Sequence, residues 1–133
     1  FQKYRISNNT PKTQNNAAAQ GLTLGNNGSA AGANNAIKIF KKAFSINSKY
    51  TQPLTNLANI YMQQGDEKNE FFYLQKAISI NPNDEMALLF LGDFYRRKNE
   101  YFSAIKAYKN VIEVNDKNSR AYRRLIIRKS FSR

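Results

Sequence analysis

Cysteine and histidine are both missing from this 133-residue chain. Without cysteine there is no disulfide framework and no thiolate chemistry, a usage that suits an intracellular chain better than a secreted one. Without histidine, the commonest general base and the commonest metal ligand are gone. No glycine-rich phosphate loop opens a helix, and no serine-nucleophile motif occurs. The carboxylates sit singly, where helix capping and solubility account for them. The expectation is a chain that is not an enzyme, with no cofactor, no metal and no small-molecule substrate. No apolar run approaches the roughly 18 residues that a bilayer-crossing helix needs, so membrane insertion is not expected either. Acid is scarce as well: none occurs before Asp66, and the whole chain sets 9 Asp and Glu against 21 Lys and Arg, with a pI near 10.0. That balance favours acidic partners, whether nucleic acid, an anionic membrane or an acidic protein surface.

Residues 1–35 differ from the rest. Asparagines come in pairs (Asn8-Asn9, Asn15-Asn16, Asn26-Asn27, Asn34-Asn35), and four of the six glycines fall here. Bulky apolar residues are limited to Phe1, Tyr4, Ile6, Leu22 and Leu24, too few to offset the entropy of ordering the tract. It reads as a low-complexity Asn/Ala/Gly segment, disordered when isolated and without an amphipathic helix over 1–32. The start at Phe1 rather than at a methionine reads as a fragment or a processed form.

From Ala36 onward the sequence is periodic and then repeats itself. Thr51–Asp84 laid above Glu85–Asn118 puts Leu54 over Leu88, Leu57 over Leu91, Ala58 over Gly92 and Tyr61 over Tyr95. Further along, Leu74 lies over Tyr108, Ala77 over Val111 and Ile78 over Ile112. A fixed period of this length marks a stacked repeat. Each copy holds two helices by its 3.6-residue spacing. Gly65 ends the first helix of the earlier copy, Asp66 caps its second, and Asn81-Pro82-Asn83-Asp84 breaks that helix and caps the next. Residues 36–50 match a second helix alone, with Asn34 or Asn35 as its cap. Residues 119–133 match a first helix, with Ala121, Tyr122, Leu125 and Ile126 at core positions. That helix either caps the stack or is the edge of a longer array.

These residues resemble the tetratricopeptide repeat family, whose pattern W-x2-L-G-x2-Y…A…F…A…P is met by Leu88, Leu91-Gly92, Tyr95, Ala104, Tyr108 and Val111. Glu70 stands where the family has a small residue, and Asp116 where it has the proline. The resemblance implies an all-α right-handed solenoid of antiparallel helix pairs over 36–133. It comprises a half repeat (36–50), two full repeats (51–84 and 85–118) and a terminal helix (119–133). Leu91 and Tyr95 are then expected in the core.

The resemblance also implies a non-catalytic protein–protein interaction module, a scaffold segment or subunit of a larger assembly. In such stacks the first helices line a concave groove. Carried over by position, the groove shows Gln52, Thr55, Asn56, Asn59, Met62 and Gln63. The next helix adds Met86, Leu89, Phe90, Asp93, Arg96 and Arg97, and the last adds Arg120, Arg123 and Arg124. Three of these, Asn59, Arg120 and Arg124, match positions of the family's carboxylate-clamp subgroup, while Thr55 and Phe90 depart from it. The partner expected is a protein with an acidic or extended segment. RNA is the alternative, with the chain then a structural subunit of a ribonucleoprotein such as a mitochondrial ribosome. Cytoplasm and mitochondrion are both compatible with the sequence.

Overall fold

The computed structural model describes residues 30–131; of the tract 1–35 expected to be disordered when isolated, residues 1–29 lie outside them, whereas residues 30–35 lie in a helix, contrary to the expectation of none over 1–32. The described residues form helices and turns: α1 (Ala30–Ile46), α2 (Gln52–Gln63), α3 (Glu67–Ile80), α4 (Glu85–Arg97), α5 (Tyr101–Val114) and α6 (Ser119–Phe131). The described residues divide into two units, 30–47 and 48–131. In the first unit, α1 begins at Ala30 and takes in Asn34 and Asn35, which were expected to cap it. Ala30, Ala31 and Ala33 favour helix strongly enough to extend it backwards, and both asparagines remain exposed to water. Ala36 and Phe40 are its buried residues.

The second unit is a helical-repeat solenoid. α2 packs on α3 and α4 on α5, while α3 also meets α4 and α5 meets α6. Tight turns reverse the chain within each pair, and their chemistry repeats. Gly65 (φ +76°) and its counterpart Asn99 (φ +64°) are both left-handed, a conformation that costs glycine little and asparagine less than most residues. Around Gly65, the amide of Asp66 donates to the carbonyl of Tyr61 (2.9 Å) and that of Gly65 to Met62 (3.0 Å). Around Asn99, Glu100 donates to Tyr95 (2.8 Å) and Asn99 to Arg96 (3.0 Å). The two turns are one motif, and both satisfy carbonyls that a helix end leaves open.

The junctions between repeats are also matched. Asp84 caps α4 by accepting from the amide of Ala87 (3.0 Å) and also accepts from the Thr51 hydroxyl. Asn118 accepts from the amide of Ala121 (3.1 Å) and donates through its own amide to Glu85 (2.8 Å). The opening side chain of each repeat is thus bonded to the residue that caps the next one, with donor and acceptor exchanged between the two junctions.

The core sits between helix pairs. Leu57, Leu74, Ala77, Ala87, Val111 and Ala121 are fully buried. Gly92 faces the ring of Tyr108, and a methyl group there would run into that ring. The equivalent pair is Ala58 and Leu74, so a larger residue on the first helix meets a smaller one on the second.

Three core expectations are corrected. Leu91 and Tyr95 are only partly buried, because they flank the cluster of Ala58, Leu74 and Phe94. Leu89, expected in the groove, is buried beside Leu88 and packed with Ala104, Tyr108, Val111 and Ala121, since α4 is covered on more than one side. On α6, Tyr122 and Ile126 are 43% and 63% exposed although their repeat positions are core positions. Among the described residues nothing covers α6 as α3 covers α2.

Candidate functional site

A groove of about 650 Å³ runs across the first helices of the second unit. Gln52, Thr55, Asn56 and Asn59 line it from α2, Glu85, Met86 and Phe90 from α4, and Arg120 from α6. Tyr50, Thr51, Asn81, Asn83, Asp84 and Asn118 complete the wall from the connecting turns. The helical repeat explains the gathering: positions 2, 5, 6 and 9 of the repeat fall on one face of α2, and the same face recurs on each following first helix.

Of the residues expected at the site, Gln52, Thr55, Asn56, Asn59, Met86, Phe90 and Arg120 are brought together here. Leu89 is not; it is 1% exposed and belongs to the core. Met62, Gln63, Asp93, Arg96, Arg97, Arg123 and Arg124 do not line the groove. Tyr50, Thr51, Asn81, Asn83, Asp84 and Asn118 do, though position-by-position reasoning over the first helices passed over the turns, and so does Glu85 at the start of α4. The signal was there in Asp84 and Asn118, which occupy the same closing position of successive repeats.

The charges explain where the arginines went. Asp93 accepts two hydrogen bonds and pairs with a third group by charge. It takes the Tyr108 hydroxyl (2.6 Å) and Nε of Arg124 (2.6 Å), with Nη2 of Arg96 at 3.7 Å. One carboxylate therefore ties α4, α5 and α6 together. Burial, and then the bond to Asp93, raise the Tyr108 pKa far above the usual phenol range. Burial works against the Arg124 charge, but the hydrogen bond and charge of Asp93 outweigh it and hold its pKa above the ordinary value.

Arg97 serves a different acid. Glu70, where the family has a small residue, is 3% exposed, and Nη2 of Arg97 lies 2.5 Å from its Oε2. The long side chain is accommodated because the next repeat sends a cation to meet it. Burial still dominates and raises the Glu70 pKa, with the Arg97 bond and charge opposing it.

The groove itself is an amide-rich surface. Asn and Gln side chains can each donate and accept, which suits the alternating groups of a peptide backbone. Arg120 supplies positive charge beside Met86, whose sulfur accepts from Nη1 at 3.2 Å. Asp84 and Glu85 supply negative charge but already accept from Thr51, Ala87, Asn115 and Asn118. Phe90, from α4, and Tyr50, from the turn before α2, supply the groove's aromatic surface. Among the described residues no group of three or more Asp and Glu could hold a metal ion. No helix among them is long and apolar enough to cross a membrane.

Comparison with known proteins gives a consistent result. Two family models, both described as Tetratricopeptide repeat, match residues 51–84 and 87–125. Anaphase-promoting complex subunit 3 of Schizosaccharomyces pombe is 28% identical over 82 residues, 62% of this chain and 12% of its own length. The BBSome complex member BBS4 of Bos taurus is 30% identical over 76 residues, 57% of this chain and 15% of its own. The chain thus spans well under two thirds of the length of either relative. Among solved structures, the first TPR of Spaghetti (RPAP3), bound to the HSP90 peptide SRMEEVD, superposes with a TM-score of 0.69. That match covers 87% of this chain and 90% of the other at 19% identity, a likeness of fold.

Proposed function

This chain belongs to the tetratricopeptide repeat family, and we propose that the groove across α2, α4 and α6 holds an extended segment of a protein partner. The chain is a protein–protein interaction scaffold, and two relatives are subunits of larger complexes. The observation that carries the finer reading is the convergence of Asn56, Asn59, Phe90 and Arg120 on one surface built by three successive first helices. Amides on α2 hold the segment's backbone, Phe90 and Met86 take an apolar anchor, and Arg120 meets an acidic group beyond it. The acidic preference rests on Arg120 rather than on the wider arginine cluster, because Asp93 and Glu70 already engage Arg96, Arg97 and Arg124.

The test is a screen of the full chain against extended peptides of defined charge. Peptides with an apolar residue followed by carboxylates are expected to be retained. Phe90→Ala and Arg120→Glu are each expected to weaken retention about tenfold or more, with the helical signal unchanged. Equal retention by the double variant contradicts the reading. RNA is the competing target, favoured by the formal net charge of +12. RNA binding would fall steeply between two salt concentrations, because several phosphates release counterions together. A peptide held partly by Phe90 and Met86 gives a shallower dependence.

A further inference from the structure

We propose that Met86 is a modification site through which peroxide regulates the groove: oxidation of its thioether to the sulfoxide captures Arg120 and releases an acidic partner segment. This role rests on the groove reading above and adds a control to it. Gln52, Met86 and Arg120 stand at the second position of three successive repeats, so one row across the groove runs from amide through thioether to guanidinium. Met86 is 37% exposed and lines the groove, whereas Met62 is partly buried and does not. Theirs are the chain's two sulfur atoms, and without cysteine no thiol of its own competes for an oxidant.

The Met86 sulfur is already a hydrogen-bond acceptor, with Nη1 of Arg120 at 3.2 Å. A thioether accepts weakly, so the guanidinium is held loosely and stays available to a carboxylate. Among the described residues no Asp or Glu pairs with Arg120, in contrast to Arg97 and Arg124, which Glu70 and Asp93 hold. Peroxide changes that balance. A lone pair of Sδ attacks one peroxide oxygen, the O–O bond breaks and an S–O bond forms. The departing hydroxide takes the proton of the transferred oxygen and leaves as water, so the sulfur is oxidised and the peroxide reduced. The new oxygen is a strong acceptor on the side chain that Arg120 already touches. The row itself shows what an oxygen at this position does: Oε1 of Gln52 accepts the Tyr50 hydroxyl. Two effects then act in one direction. The sulfoxide ties Arg120 down, and a polar group replaces apolar surface beside Phe90, four residues further along the same helix face. A thiol-dependent sulfoxide reductase reverses the change, converting sulfoxide and two thiols to thioether, disulfide and water.

The full chain is treated with hydrogen peroxide and titrated, before and after, with a labelled peptide in which a leucine precedes a run of glutamates. Peptide mapping by mass spectrometry is expected to find the added oxygen on Met86 before Met62. Affinity is expected to fall about tenfold on oxidation and to return after treatment with sulfoxide reductase and a thiol. Met62→Leu should keep this response and Met86→Leu should lose it. Arg120→Ala should show a smaller fall than the parent, because the cation to be captured is absent. The Arg120 Nε–Hε resonance is expected to shift on oxidation with the helical signal unchanged. Oxidation that reaches Met62 first, a response that survives in Met86→Leu, or equal affinity before and after full oxidation of Met86 overturns the proposal. A reduced chain that holds no peptide counts against the groove itself; an Arg120 resonance that stays in place on oxidation then overturns the switch on its own.

Discussion

Gly92 and Tyr108 set the tightest constraint at the level of single residues. Tyr108 is 1% exposed and its hydroxyl is held by Asp93, so the ring has no free direction in which to retreat. Gly92→Ala is therefore expected to lose about 1–3 kcal/mol to overpacking, against about 1 kcal/mol regained in helix propensity. Adding Tyr108→Leu rebuilds the Ala58 and Leu74 pairing of the first repeat. Urea unfolding of the two single variants and the double variant should show the double more stable than the sum of the single losses; simple additivity would contradict the pairing. Glu70 offers a separate check. Its pKa is raised above the ordinary 4.5, chiefly by burial. Its contribution to stability is therefore complete below the unfolded-state pKa and is lost as pH rises through the folded-state one. The stability of the parent relative to Glu70→Gln should increase as pH is lowered from neutrality toward 4, measured by denaturant midpoints at constant ionic strength. A constant difference, or one that moves the other way, would contradict the burial of an ionisable carboxyl.

The helices themselves were legible in the sequence from α2 onward, because cap residues and apolar spacing agree there. Asp66 and Asp84 accept from Asn69 and Ala87 as their positions require. Asn99 was harder to place, since only the repeat alignment with Gly65 marks it as a left-handed turn residue. The start of α1 was missed because paired asparagines read as a cap when taken locally, while the alanines before them favour helix. Burial on α4 was misjudged for a different reason. A single helical stripe was assumed, whereas neighbours on several sides bury Leu89 as well as the expected Leu88 and leave Leu91 at the edge. Asp84 joins two elements, so its loss should exceed that of a simple cap. Asp84→Ala is expected to cost about 2 kcal/mol, toward the upper end for an N-cap, because the Thr51 hydroxyl also loses its acceptor. Thr51→Val should cost less, and Asp84→Ala made in that background should cost less than in the parent. Thermal melts of the three variants check the coupling.

At the scale of the whole molecule, a groove is what the repeat adds to its parts. Asn56, Asn59, Phe90 and Arg120 are as much as 64 positions apart in the chain, yet one recurring helix face sets them side by side. Period and position sufficed to find these four. They could not show that Arg97 and Arg124 are taken by Glu70 and Asp93, because those pairs cross between repeats at distances no periodicity encodes; the Arg96–Asp93 pair, three residues apart on α4, is a spacing the helix itself sets. The most direct measurement is a residue-by-residue chemical-shift map of the full chain with a peptide recovered from the charge-defined screen. Amide and side-chain perturbations are predicted to centre on Gln52, Asn56, Asn59, Phe90 and Arg120, with α3 and the outer face of α5 unmoved. Perturbations centred instead on the exposed residues of α3 and α5, such as Phe72 and Phe102, would contradict the assignment of the groove.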